Sequence, residues 1–254
     1  MIDIAKTALG LLDLTSLNDG DNDDSIRALA RSADTGFGTP AALCVYSRFL
    51  GVARRELDAL GLFDVRLATV ANFPAGDTDI DAATVECRSE VGLGADEVDV
   101  VFPWRALIAG DGEIGARLVG GCRASLPDEV TLKVIIESGE LSEPGLIRRA
   151  SEIAIDHGAD FVKTSTGKVP VNATLEAAEI MLGTIRASGR PVGFKASGGV
   201  RTVADAGKYL ALAEKIMGPG WISPKTFRFG ASGLLGDIKA VLSGKPVAAT
   251  GPTY

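Results

Sequence analysis

Within the segment FVKTSTGK, residues 161–168, a lysine stands third among residues that otherwise read as a buried β-strand. An ammonium group in a strand interior must be desolvated, which is costly unless a partner compensates. Lys163 has company. Asp99 sits within the run 97–102, Lys133 within 131–137 and Lys195 within 192–197, so four consecutive strand-like runs each carry a charge near the middle. Singly, each reads as a side chain snorkelling beneath a helix or as half of a buried ion pair. Together they do not, because three ammonium groups clustered near one carboxylate repel one another. Repulsion serves one kind of chemistry. A lysine attacks a carbonyl only as the neutral amine, and an ordinary pKa of about 10.4 leaves almost none of that form at neutral pH. Burial and a second cation nearby both disfavour the ammonium. A lysine held beside another lysine is therefore a candidate Schiff-base nucleophile. Asp99 would carry the proton traffic, through Lys195 or a water, that carbinolamine formation and carbon–carbon cleavage require.

Such a set needs strands in register. Eight short β-branched or apolar runs occur, at 11–17, 41–46, 66–73, 97–102, 131–137, 161–166, 192–197 and 227–231. Between them, apolar residues recur near the 3.6 period at 24–34, 47–60, 79–93, 113–124, 144–156, 174–186 and 202–217, which predicts helices. Strict alternation means parallel β-α units, and eight of them in 254 residues predict an α/β fold, a single-domain (β/α)8 TIM barrel. A doubly wound open sheet is the competing architecture. The barrel is expected over 1–244, with 245–254 as a flexible C-terminal tail. Alternate strand residues share a face, so Phe161, Lys163 and Ser165 point together. An internal echo, GADEVD at 94–99 and GADFVK at 158–163, sets Asp99 and Lys163 at one depth.

The loops after the last three strands carry Gly167-Lys168, Gly198-Gly199 and Gly230-Ala231-Ser232-Gly233. Glycines there let backbone N–H groups approach an anion, and helix N-termini near Thr202 and Ser232 add their positive ends. With Lys168, they predict a phosphate cradle at the barrel mouth. The formal net charge of −7 argues against a polyanionic partner. Three cysteines without metal-type spacing fit a reducing compartment, and the start MIDIAKTALGLLDLT shows neither a signal peptide nor a membrane span. One histidine, His157, is too few for a metal-dependent aldolase, and its place beside a helix terminus disfavours a Ser-His-Asp hydrolase; it reads as a helix-terminal residue. GFGTPA at 36–41 precedes a strand where a dinucleotide fingerprint should follow one. Cys44 reads as core filler.

Across nearly its whole length the chain resembles the 2-deoxyribose-5-phosphate aldolases, class I aldolases with a (β/α)8 fold. The resemblance is carried by LLDLTSLN at 11–18, ADEVDVVFP at 95–103, LKVIIE at 132–137, DFVKTSTGK at 160–168, GFKASGGVRT at 193–202 and RFGAS at 228–232. It implies reversible cleavage of 2-deoxy-D-ribose 5-phosphate to acetaldehyde and D-glyceraldehyde 3-phosphate. It further implies Lys163 as the Schiff-base residue, Lys195 as the neighbouring cation and proton carrier, and Asp99 as its partner. Asp13 and Thr15 match positions that meet sugar hydroxyls. Lys133, Thr166, Gly167, Lys168, Gly198, Gly199, Ser232 and Gly233 complete the implied substrate-binding set. Gly233 is a departure, standing where a second serine is expected. No cofactor and no metal are implied, and the expected partner is a sugar phosphate, with neither nucleic acid nor membrane. A homodimer is compatible with the reading, as is a cytoplasmic location. Another class I aldolase acting on a longer ketose, or a silent sugar-phosphate-binding barrel, are the alternatives. The final helix, over 234–243, descends about 15 Å and the ten residues after it reach roughly 33 Å when extended. The tail is long enough to bring Tyr254 to the mouth as a proton relay, the plainer alternative being a solvent tail.

Overall fold

The structure, a computed structural model, describes residues 1–244. Eight parallel strands close on themselves in sequence order: β1 (Leu12–Ser16), β2 (Ala42–Val45), β3 (Arg66–Ala71), β4 (Glu97–Val101), β5 (Thr131–Ile135), β6 (Phe161–Lys163), β7 (Gly193–Ser197) and β8 (Phe227–Ala231). The open-sheet alternative is thereby excluded, since β8 pairs with β1. Around the strands run α1 (Ile2–Gly10), α2 (Asp23–Ser32), α3 (Leu50–Ala59), α4 (Ile80–Gly92), α5 (Trp104–Ile108) and α6 (Gly112–Ser125). They are followed by α7 (Ser138–Leu141), α8 (Pro144–Asp156), α9 (Leu175–Ser188), α10 (Val203–Met217) and α11 (Leu234–Ser243). The helix starts are capped locally: Asn22 forms a capping box with Ser25 on α2, and Asp79, Asp111, Thr174 and Thr202 each accept a backbone N–H in the first turn of α4, α6, α9 and α10.

Period-two alternation divides each strand between two environments. Leu14, Leu43, Val98, Val134, Val162, Phe194 and Phe229 turn outward and are buried beneath the helices, in the large apolar layer that holds the ring of helices to the barrel. The opposite set faces the axis. It comprises Asp13 and Thr15 on β1, Cys44 on β2, Glu97 and Asp99 on β4, Lys133 on β5, Lys163 on β6, Lys195 on β7 and Arg228 on β8.

Strand β6 is shorter than the expected 161–166. Thr164 still bonds both neighbours, its N–H donating to the Lys195 carbonyl and its carbonyl accepting from Ser138 N–H. Beyond it, the Glu137 carboxylate accepts from the Ser165 hydroxyl and the Thr166 N–H and bends the chain out of the ladder. The β-branched threonines there favour strand locally, and the tertiary contact overrides them.

Candidate active site

Seven charged side chains meet inside the barrel, and six of them form a closed ring of alternating sign. Lys195 Nζ donates to Asp99 Oδ2 at 2.8 Å and to Asp13 Oδ2 at 2.5 Å. Asp13 Oδ1 accepts from Arg228 at 2.5 Å, and Arg228 reaches Glu97 Oε1 at 2.9 Å. Glu97 Oε2 lies 2.6 Å from Lys133 Nζ, which returns to Asp99 Oδ1 at 2.7 Å. Three cations face three carboxylates, so the ring is neutral as a unit. Lys163 hangs outside it, donating to Asp99 Oδ2 at 2.8 Å. Its ammonium form is the surplus charge.

The lysines differ in how many carboxylates lie within 4.0 Å of the ammonium nitrogen. Lys133 has Glu97, Asp99 and Asp13, Lys195 has Asp13 and Asp99, and Lys163 has Asp99 alone. Burial disfavours the charged form of all three. For Lys195 the Asp13 and Asp99 charges outweigh burial and hold the pKa above the ordinary lysine value; for Lys133, Asp99 and Glu97 do the same. For Lys163 burial is the larger effect, the single Asp99 charge opposes it and Lys195 reinforces it, so the pKa falls below the ordinary value. Asp99, though buried, is held well below the usual carboxylate range by Lys133, Lys163 and Lys195. The repulsion between lysines anticipated from sequence is real but secondary, because three carboxylates rather than one balance them.

Opposite the charges stands a dry wall. Leu17, Ala42, Cys44, Ala68 and Val70 form their own buried cluster, with Tyr46 and Phe73 packed against it. The side chains on β2 and β3 are small and apolar, and they offer no counter-charge to the buried Lys163. Burial pushes the Cys44 thiol up, which keeps it a neutral member of this wall. On the far side, Gly230 lets Lys195 pass close to β8: a Cβ there would lie 3.0 Å from Lys195 Cε and 2.5 Å from Ser197 Oγ.

Above Lys163, at the C-terminal ends of the strands, lie the glycine loops. The Ser232 hydroxyl oxygen is buried with no hydrogen-bond partner among the described residues, as a group awaiting a ligand would be. Gly199 has φ +84°, and a Cβ would meet nothing closer than Ala173 O at 3.8 Å, so its backbone faces open space. Helix α11 begins at Gly233 without a side-chain cap, leaving its first N–H groups to an anion. The N-terminus of α10 differs from expectation: Val203 N–H already donates to Asp237 Oδ2 at 2.6 Å. Lys168 crosses the mouth to the Leu17 carbonyl at 2.7 Å, and its backbone N–H donates to Thr166 Oγ1 at 3.0 Å. Gly167 N–H donates to Ser165 Oγ, and Gly198, with φ +77°, packs on Asn172.

The structure thus brings Lys163, Lys195 and Asp99 together and gathers Thr166, Gly167, Lys168, Gly198, Gly199, Ser232 and Gly233 at the mouth. Two residues expected to bind substrate stand within the charged ring. Lys133 is 0% exposed beneath Asp99 with its ammonium engaged by carboxylates, and Asp13 is 0% exposed with both oxygens taken by Lys195 and Arg228. Both belong to the ring. Thr15, on the same face, is buried with its hydroxyl on the Asp13 carbonyl. Tyr254 lies outside the described residues. Glu97 and Arg228 escaped the sequence reading although alternation places Glu97 on the face of Asp99. Glu137 escaped it too. It ends the β5 run at φ +55° and anchors the loop that follows β6. His157 caps α8, its Nδ1 lying 2.9 Å from Ile153 O, and no group of His, Cys, Asp and Glu that could hold a metal occurs among the described residues.

Comparison with known proteins agrees with this geometry. Residues 7–234 match the DeoC/LacD family aldolases. An apo-form protein of Toxoplasma gondii ME49, provisionally named a deoxyribose-phosphate aldolase, is 25% identical, with a TM-score of 0.88 over 97% of this chain and 98% of that one. The aldolase QR15 is 24% identical, with a TM-score of 0.78 over 96% and 97% of the two chains. The deoxyribose phosphate aldolase of Aeropyrum pernix, described as a unique tetramer, is 22% identical, with a TM-score of 0.74 over 94% and 92%. The last two likenesses are of fold.

Proposed function

The chain belongs to the DeoC/LacD family of aldolases, and we propose that its reaction is the reversible cleavage of 2-deoxy-D-ribose 5-phosphate to acetaldehyde and D-glyceraldehyde 3-phosphate. The observation that carries this reading is Lys163: a buried lysine with one carboxylate, beside a ring already neutral without it. Such an amine exists unprotonated at neutral pH more readily than its neighbours.

Neutral Lys163 Nζ attacks the C1 carbonyl of the open-chain sugar while a proton passes to the carbonyl oxygen. Asp99 Oδ2 touches both Lys163 and Lys195, so it lies on a short path between the amine and the proton donor. Loss of water from the carbinolamine leaves an iminium. Removal of the C3 hydroxyl proton then breaks the C2–C3 bond, glyceraldehyde phosphate departs, and the bonding electrons pass to the iminium as an enamine. Protonation of that enamine at carbon and hydrolysis release acetaldehyde and restore Lys163. Lys195, held protonated, supplies the acid, and Asp99, held ionised, orients both lysines. The small apolar wall fits the two-carbon fragment, and the loops bearing Gly167, Lys168, Gly199, Ser232 and Gly233 fit the phosphate.

A cytoplasmic place in the breakdown of deoxyribonucleosides accompanies the proposal, supported by three buried free cysteines. No helix among the described residues is long and apolar enough to cross a membrane. The test is incubation with 2-deoxy-D-ribose 5-phosphate, borohydride reduction and peptide mapping, with acetaldehyde release measured in parallel. Product release with an adduct on Lys163 is expected. A silent binding barrel would give neither product nor adduct, and another class I aldolase would form an adduct only with a different sugar phosphate.

A further inference from the structure

We propose that Arg228 and Glu97 are positioning residues for the imine chemistry, acting from the N-terminal end of the barrel. They close the ionic ring, and the closed ring leaves Lys163 as the lysine without a counter-charge. The inference rests on the Schiff-base reading above and deepens it.

Arg228 is the second residue of β8 and 5% exposed. Its Nε donates to Pro224 O at 2.5 Å, its NH1 to Asp13 at 2.5 Å and its NH2 to Glu97 at 2.9 Å, with the guanidinium 5.7 Å from the Phe161 ring centre. A guanidinium keeps its proton under all relevant conditions, whereas a lysine does not. Four basic groups share three carboxylates, and only Arg228 is unable to become neutral. An interior near electroneutrality therefore requires one lysine to give up its proton, and the carboxylate counts select Lys163. Without Arg228, three carboxylates would match three lysines, and Lys163 would keep its proton. Glu97 is the complementary element, because it joins Arg228 to Lys133 and so holds Lys133 in the charged set.

Other groups leave this logic intact. Facing Lys163 are Asp99 on β4, Lys195 on β7 and Cys44 on β2. Facing Arg228 are Asp13 on β1 and Glu97 on β4. Asp64, Arg66, Asp128, Asp160 and Lys225 line a cavity of about 580 Å³ beneath Arg228. These five are exposed or half-buried, so solvent and salt screen their fields. The N-terminal face of such a barrel ordinarily serves stability alone. Here its charge balance reaches the nucleophile.

The experiment measures the rate of reductive trapping by 2-deoxy-D-ribose 5-phosphate and cyanoborohydride as a function of pH, with the adduct mapped to its residue. Four proteins are compared: wild type, Arg228→Gln, Arg228→Lys, and the double variant Arg228→Gln/Glu97→Gln. Arg228→Gln should move the rising midpoint upward by about one pH unit, the effect of one buried charge at an effective dielectric near 20. Arg228→Lys should stay closer to wild type. The double variant removes one cation and one carboxylate and should return the midpoint toward wild type, a recovery that mere structural damage would not produce. An unmoved midpoint in Arg228→Gln, or a double variant displaced as far as the single one, overturns the inference while leaving the Schiff-base reading in place. Absence of a Lys163 adduct from wild type at every pH takes both down.

Discussion

The two walls of the barrel interior solve opposite problems. On β1 and β4 to β8, seven ionisable groups are packed at hydrogen-bond distance and, apart from Arg228 at 5%, none is more than 2% exposed. On β2 and β3, the inward residues Ala42, Cys44, Ala68 and Val70 carry no charge. The charged wall keeps its protons fixed because each member has partners of opposite sign. The apolar wall does the reverse, withdrawing solvation without offering a counter-charge. Lys163 belongs to the first wall by position, yet Asp99 is its one carboxylate, and the apolar wall that faces it through Cys44 adds no other, which separates it from Lys133 and Lys195.

The contrast can be broken from either side. The largest effect should follow Lys163→Arg, which preserves a cation at the same position and removes the nucleophilic amine. Turnover of 2-deoxy-D-ribose 5-phosphate should fall by on the order of 10⁴-fold or more while the circular-dichroism melt stays cooperative. Charging the apolar wall should do less. Cys44→Asp would give Lys163 a second carboxylate, so turnover at pH 7 should drop by about tenfold and the rising limb of the pH–rate profile should move up by about one unit. A profile with an unchanged midpoint would mean that the wall contributes volume and not electrostatics.

A carboxyl buried without a cation sharpens the same comparison. Glu90 on α4 is 4% exposed, and burial, aided by Glu86 and opposed by a hydrogen bond from Ser47, pushes its pKa up to about 7. Asp99, also buried, goes the other way because lysines surround it. A folded-state pKa raised above the ordinary 4.5 means that the contribution of Glu90 to stability is fully present below pH 4.5 and is lost as pH rises through 7. Glu90→Gln should therefore stabilise the protein at pH 8 by on the order of 1–2 kcal/mol and change little at pH 4.5, as urea unfolding at the two pH values would reveal. The smallest effect concerns the mouth. Gly233 has φ −71° and caps α11 without a side chain, so Gly233→Ser is free of backbone strain and supplies the missing cap. A gain of a few tenths of a kcal/mol in unfolding free energy is expected, with an equal or lower KM for the phosphorylated sugar; a raised KM would show the new hydroxyl competing with the phosphate for the first N–H groups of α11.

These contrasts were only partly legible in the chain. Lys163, Lys195 and Asp99 could be read because a charge inside an apolar run is a strong anomaly, and the eight runs because each is bounded by a well-marked helix. Glu97 and Arg228 were hidden by position. A charge at the first or second residue of a run looks like a strand entrance in solvent, and only barrel closure turns both inward. The place of Asp13 in the ring was hidden as well, since its partners Lys195 and Arg228 come from β7 and β8, far away in sequence. Helices α5 and α7, at five and four residues, are too short to display a period. The end of β6 was set by Glu137, a contact across 29 residues that no local propensity encodes.

The central claim is that Lys163 alone among the three interior lysines readily loses its proton. Its most direct test is an NMR titration of the free enzyme carrying side-chain-labelled lysine, with the three signals assigned by Lys163→Arg, Lys133→Arg and Lys195→Arg. Lys163 should titrate below the ordinary lysine value of 10.5, while Lys133 and Lys195 remain protonated above it. A Lys163 signal titrating at or above 10.5, or Lys195 titrating first, would contradict the account.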